Sequence, residues 1–359
     1  MPAPANKTPI GAILIRWSRR RNRHLPWRAA RDPYRIWVSE IMLQQTRVET
    51  VIPYYRSFLY RFPHVKDLAR ADLQSVLKIW EGLGYYARAR NLHRAAKQVV
   101  GRADGRLPES ASEWEQLPGI GRYAAAAIAS LANGERAIAL DANARRILAR
   151  MSAYRREVRD ARAEHDLMEC FQSARGRSAP GNFFQAMMDL GQLVCLPRRP
   201  LCAECPVISR CESRKRGIQN RLPVRAKAAR IPHYDVTAAA ILRSGKALLA
   251  RRPEGKILGG MWEFPGGKRE RGETLPACLR RELREELGVD VRVREKLIAV
   301  KHAFTHFRIT LHVFFCDRMR GRPRPIGVAE VRWVGISQLR SYPMGKADRI
   351  AAERITGLR

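Results

Sequence analysis

The chain has 359 residues, enough for two domains at about 100–200 residues each, and 45% of them are hydrophobic, which excludes an intrinsically disordered chain. Lys and Arg total 68 against 34 acidic residues, a formal charge of +34, and 56 of the 68 are Arg; that excess points to a polyanionic partner, nucleic acid or an anionic membrane surface. No apolar run reaches the ~18 residues needed to span a bilayer, and the run at 10–15 is too short for a secretory segment, so the expectation is a soluble cytoplasmic protein with no membrane partner.

From Ile10 to about Leu190 apolar residues recur at helical spacing, with turn signals such as Leu25-Pro26 and Asp32-Pro33 between periodic segments. Trp37, Glu40, Ile41 and Gln44 fall at i, i+3, i+4 and i+7 and so share a helix face. A carboxyl beside Trp and Ile is partly desolvated, which raises its pKa and leaves it able to donate a proton. Leu117-Pro118-Gly119-Ile120-Gly121 separates helical patterns at 111–116 and 122–131. Such a hairpin can hold a phosphate on its N–H groups, although an ordinary helix–helix turn reads the same way. Twenty residues on, Asp141 precedes Ala142-Asn143-Ala144, as a helix N-cap would.

Four thiols follow within seventeen residues, as Cys195-x6-Cys202-x2-Cys205-x5-Cys211, a donor set that satisfies either a cubane iron–sulfur cluster or zinc. Cys170, Cys278 and Cys316 read as buried free thiols. Residues 212–230 hold seven basic residues and one acid, the texture of a basic connector. Beyond Asp235 short strand-like runs appear at 236–242, 247–250, 289–291, 310–316 and 331–334, with a helix at 275–287. The expected division is 1–211 all-α, 212–232 linker and 233–359 mixed α/β.

At these residues the sequence resembles the helix-hairpin-helix base-excision glycosylases, which include endonuclease III and the MutY-type adenine DNA glycosylases. The hairpin, the aspartate twenty residues on and the cysteine spacing carry the likeness. Leu25-Pro26-Trp27-Arg28 and the strip from Trp37 to Thr46 are similar to the MutY-type adenine pocket, and the resemblance runs from Leu25 to Pro343. Endonuclease III-like members carry a Lys two residues after the last hairpin Gly; Tyr123 stands there, so the covalent lyase route lacks its amine and a monofunctional enzyme is implied.

By the same resemblance Glu40 protonates adenine and later helps activate water, while Asp141 stabilises an oxocarbenium-like sugar with Tyr123 and Asn143 beside it. Leu25, Trp27, Arg28, Val48 and Gln185 match the flipped-base pocket, Gln45 and Tyr85 match wedge residues, and Leu117, Gly119 and Gly121 form the DNA-binding hairpin. The family implies [4Fe–4S] on Cys195, Cys202, Cys205 and Cys211 rather than zinc. Ala142 stands where the family commonly has Gly, a departure that matters only if φ there must be positive.

Gly267-x5-Glu273-x7-Arg281-Glu282-Leu283-x-Glu285-Glu286-x-Gly288-Val289 is a complete Nudix box. On a helix Glu282, Glu285 and Glu286 share a face, and Mg²⁺ with a diphosphate would relieve their repulsion, Glu273 completing the set. MutY-type proteins carry a Nudix-like domain whose box is usually degraded and which reads 8-oxoguanine; here the box is intact. Phe304-Thr305-His306 resembles the Phe-Ser-His loop that does the reading, with Thr keeping the hydroxyl. The fold class implied is multidomain: an all-α helix-hairpin-helix glycosylase domain with an iron–sulfur cluster, plus an α/β Nudix-like domain. The function implied is removal of adenine opposite 8-oxoguanine or guanine in double-stranded DNA by a monomeric bacterial enzyme. The alternative is a diphosphatase acting on oxidised nucleotides such as 8-oxo-dGTP.

Overall fold

The structure, a computed structural model, describes residues 8–21, 23–28, 31–102, 105–137, 139–158, 160–224 and 231–358. Among the described residues eleven α-helices come first: α1 Ile10–Arg21, α2 Pro33–Leu43, α3 Val48–Arg61, α4 Val65–Arg70, α5 Leu73–Trp80, α6 Ala87–Val100, α7 Ala111–Glu115, α8 Arg122–Ala132, α9 Ala142–Met151, α10 Ala161–Arg175 and α11 Pro180–Leu193. The short α12 Glu212–Lys215 is followed by strands β1 His233–Arg243, β2 Lys246–Arg251 and β3 Trp262–Glu263. Then come α13 Leu275–Leu287, β4 Asp290–Ala303, β5 Arg308–Arg320, β6 Glu330–Gly335 and α14 Lys346–Thr356. Among the described residues no helix is long and apolar enough to cross a membrane.

Contacts divide the chain into two compact units, Met1–Leu59 with Gln98–Ala228, and Tyr60–Lys97 with Ala229–Arg359. The first is helical. Its α8 is built on Tyr-Ala-Ala-Ala-Ala-Ile-Ala, and residues 124–130 are all buried. Small side chains let neighbouring backbones come close: a Cβ at Gly181 of α11 would meet the Ser130 carbonyl at 2.7 Å. Leu14 of α1, Phe171 of α10 and Phe183 of α11 close the core around α9.

The second unit joins helices α4 and α5 and most of α6, which the sequence reading had assigned to the helical domain, to a six-stranded sheet. Its strand path is β3-β2-β1-β5-β4, with β6 paired to β2. β1 runs parallel to β5, and β4 antiparallel to it. Alternate residues of β1 face opposite cores: Ala238 and Ala240 pack with α14, whereas Ala239 and Ile241 pack with α13. α13 starts at Thr274, whose hydroxyl accepts from Ala277 N, and ends at Gly288 with φ 67°. Its Leu279, Leu283 and Leu287 are fully buried, each contributing about 2 kcal/mol.

Several expectations are corrected. Gln44 caps the C-terminus of α2 rather than extending its face. Residues 212–224 are not an open connector: α12 forms, Ser213 and Leu222 are buried, and Arg150 Nε donates to the Leu222 carbonyl at 2.9 Å. Residues 225–230 of the expected linker lie outside the described residues. α14 was not expected, its buried face being mostly Ala, and of β4 only the start at 289–291 was expected, because Arg292, Arg294 and Lys296 and irregular register mask its later alternation.

Candidate active site

In the first unit α2 begins at Asp32, whose carboxylate accepts from Tyr34 N and Arg35 N, with Pro33 at the first turn. The helix carries Glu40 into the interior at 5% exposure. Burial pushes its pKa from 4.5 up to about 7; the charge of Asp141 adds to the rise and Arg28 opposes it. A carboxyl there is poised between acid and base at neutral pH. The Tyr123 hydroxyl, on α8, is held well above its ordinary pKa by burial and then by Asp141 and Glu40. It stays protonated, packed against Phe184 with ring centroids 5.7 Å apart.

Asp141 is the N-cap of α9, as one reading of the sequence had it, and one oxygen accepts from Ala144 N at 2.6 Å. The other accepts from Asn143 Nδ2 at 3.0 Å. The charge of this capping carboxylate raises the pKa of both Glu40 and Tyr123. Ala142 opens α9 and is not among the residues with positive φ, so glycine is not needed there.

Leu25, Trp27 and Val48 are buried, and Trp27 meets Tyr55 edge-on at 5.3 Å. Gln185 is half-buried on α11. Arg28 is not a solvated side chain: Nη1 and Nη2 donate to the two oxygens of Asp189 at 3.0 and 2.9 Å. Sequence reasoning missed Asp189, although an acid inside the apolar run Met187-Met188-Asp189-Leu190 was its available signal. It also missed Arg146, which donates to Asn143 Oδ1 at 2.9 Å and to the Cys195 carbonyl at 2.9 Å.

Of the two hairpin glycines only Gly119 adopts positive φ, 78°. Gly121 caps α8 with ordinary φ, and a Cβ there would meet nothing within 4 Å, leaving the helix N-terminus open to an anion. Gln45 also has positive φ, 56°, a strained state for a non-glycine residue.

Cys195, Cys202, Cys205 and Cys211 line one cavity with Ile147 and Leu190. Arg150 donates to Cys195 Sγ at 3.3 Å and to the Leu196 carbonyl at 2.6 Å, fixing the start of the loop. Among the described residues no three His, Cys, Asp or Glu are gathered as a single-ion site requires. Four thiols set around a cavity fit the donor set of a cluster.

In the second unit Tyr85, also at positive φ (49°), lies between Gly84 and Tyr86; Tyr86 is buried while Tyr85 is 43% exposed. The Tyr85 hydroxyl is 2.5 Å from Thr305 Oγ1. Phe304 stacks on Phe307 at 4.6 Å, and Thr305 and His306 are left exposed at the tip between β4 and β5. In the Nudix box Arg281 donates to Glu273, Glu282 and Glu285 at 2.8, 2.9 and 3.1 Å, and Glu286 instead accepts from Gly266 N at 3.3 Å. The carboxylates predicted to converge on a cation are thus held by a guanidinium, and as placed they do not form a metal site.

Residues 38–173 match the HhH-GPD superfamily base excision DNA repair proteins and residues 237–354 match the NUDIX domain. The chain is 32% identical to the adenine DNA glycosylase of Rattus norvegicus over 98% of its own length and 80% of the relative's. The chain belongs to the adenine DNA glycosylase family. The family member of Buchnera aphidicola subsp. Schizaphis graminum is 31% identical, with 84% and 85% of the two chains covered. Among solved structures a thermostable thymine-DNA glycosylase is similar over 57% of this chain and 95% of its own, at 26% identity and TM-score 0.51. As an adenine DNA glycosylase the protein is a hydrolase of base excision repair that cleaves an N-glycosidic bond.

Proposed function

We propose that this glycosylase removes adenine paired with 8-oxoguanine, or with guanine, from duplex DNA without cutting the strand. The observation that carries the reading is the buried Glu40 carboxyl with a pKa of about 7, facing Asp141. Adenine leaves poorly until protonated, and the deoxyribose becomes cationic as the bond stretches. Glu40 supplies the proton, and the fixed charge of Asp141 stabilises the sugar cation, with Asn143 orienting that carboxylate. Tyr123 offers a neutral hydroxyl rather than an amine, which supports a monofunctional route.

Recognition of the opposite base falls to Phe304, Thr305 and His306 together with Tyr85, whose hydrogen bond to Thr305 joins wedge and loop. Cys195, Cys202, Cys205 and Cys211 would hold a [4Fe–4S] cluster, which supplies a crosslink of the loop rather than a step of the reaction. No step is assigned to Mg²⁺. The enzyme is proposed to act as a monomer in the cytoplasm. The test is single-turnover excision on A:8-oxoguanine, A:G and A:T duplexes, with and without alkali. Strand cleavage should need alkali and be fastest on the first substrate; spontaneous cleavage, or no preference over A:T, overturns the reading.

A further inference from the structure

Asp189 sits in α11 with no solvent exposure. Its carboxylate accepts from Ser18 Oγ at 2.6 Å, Arg23 Nη1 at 3.2 Å and both terminal nitrogens of Arg28. Arg23 is held a second time by Gln192 Oε1, at 2.7 Å. One carboxylate thus gathers two guanidiniums and a hydroxyl from α1 and the segment behind it, the segment that also carries Leu25 and Trp27. The groups facing Glu40 are Asp141 at the head of α9, Tyr123 on α8 and Arg28.

Arg28 is thus bonded to Asp189, while its charge still acts to lower the Glu40 pKa. A guanidinium that paired with Glu40 would favour its ionised form and remove the proton needed for base release. We propose that Asp189 is a positioning residue for base release, which by engaging both terminal nitrogens of Arg28 keeps that guanidinium from pairing with Glu40. The bidentate geometry supports this: both terminal nitrogens of Arg28 are engaged by the two oxygens of Asp189, and only the buried Nε has no hydrogen-bond partner. The inference rests on the assignment of Glu40 as proton donor.

The experiment measures single-turnover adenine excision against pH for Asp189→Asn, Asp189→Glu and Arg28→Gln, with Glu40→Gln in parallel. Asp189→Asn frees Arg28 toward Glu40, so the alkaline fall in rate should move down by about one pH unit, with roughly fivefold loss at pH 7 that approaches tenfold above about pH 8. Asp189→Glu should keep the wild-type position, and adding Arg28→Gln to Asp189→Asn should bring the alkaline fall back up. Arg28→Gln alone, in a background where Asp189 is intact, should move it above wild type. A lower active fraction with an unmoved pH profile in both Asp189→Asn and Arg28→Gln overturns the inference. Should Asp189→Asn not fold, Arg28→Gln decides alone, and an unmoved or lowered alkaline fall overturns it. Glu40→Gln within about threefold of wild type would instead overturn the proton-donor assignment itself.

Discussion

Glu40 is asked to do two incompatible things, to sit in the core and to ionise. Its folded pKa of about 7 against 4.5 means that the folded chain binds this proton more tightly than the unfolded one. Stability from this group is therefore fully present below about pH 4.5 and is lost as pH rises through about 7, reaching roughly 3 kcal/mol at about 1.4 kcal/mol per pH unit. Glu40→Gln cannot ionise, so thermal melts at pH 8 should show it more stable than wild type, with the difference vanishing near pH 4.5. The same variant should lose about 10²–10⁴-fold in base release with duplex binding kept. Wild-type excision should fall as pH rises through about 7, since the acid form is the active one. A variant less stable at pH 8, or one that still excises at near wild-type rate, would show that this carboxyl is neither strained nor the donor. Glu40 was legible because its spacing with Trp37 and Ile41 announced burial, which the structure shows at 5% exposure. For Asp189 the apolar run around it signals a buried acid but not its partners, because Ser18 and Arg28 lie more than 160 positions away.

At the scale of elements, α9 joins two functions. Its N-cap is Asp141, and its next turns present Arg146 and Arg150 to the cysteine loop. Asn caps helices about as well as Asp, so Asp141→Asn should change stability by less than about 1 kcal/mol while base release fails for want of charge. Equilibrium unfolding beside single-turnover kinetics separates the two, and a variant that keeps its rate would leave Asp141 a cap alone. Arg150 is buried and donates to the carbonyls of Leu196, Pro197 and Leu222. Arg150→Met should strand those acceptors and loosen the loop, lowering iron per chain from the expected four, read by iron assay and absorbance near 400 nm. Wild-type protein prepared anaerobically with one zinc and no colour would defeat the cluster assignment. The helical character of 10–190 was readable from its period, though its division into separate helices was not, and the mixed texture after Asp235 marked the sheet. The short β3 and the Ala-faced α14 were not, because two residues carry no period and Ala carries little hydrophobic contrast.

At the scale of the whole molecule the net charge of +34 makes the phosphate backbone the natural counterpart, and duplex affinity should fall steeply with salt. Against that background the Nudix box is the anomaly, a cluster of carboxylates in a basic chain. Four carboxylates without compensation would repel a DNA strand, and the sequence offered Mg²⁺ as the remedy. The structure offers another: Arg281 pairs with Glu273, Glu282 and Glu285, and it pulls the Glu273 pKa down to about 2. Glu286 is turned toward Gly266 N and raised to about 7 by burial, so its charge is partly quenched at neutral pH. One guanidinium offsets only part of the charge on Glu273, Glu282 and Glu285, but it stands where a cation would have to bind them. Excision from A:8-oxoguanine should be unaffected by a chelator, and Glu285→Gln with Glu286→Gln should leave it within about threefold. Arg281→Met is the damaging change, since it removes the cation shared by Glu273, Glu282 and Glu285 and leaves Glu273 with the Glu270 N–H. His306→Ala should act differently, costing selectivity for 8-oxoguanine over guanine on the order of 1–3 kcal/mol. Brisk Mg²⁺-dependent hydrolysis of 8-oxo-dGTP, lost in the Glu285–Glu286 double variant, would overturn this ordering, because Arg281 would then have to yield the carboxylates to a metal.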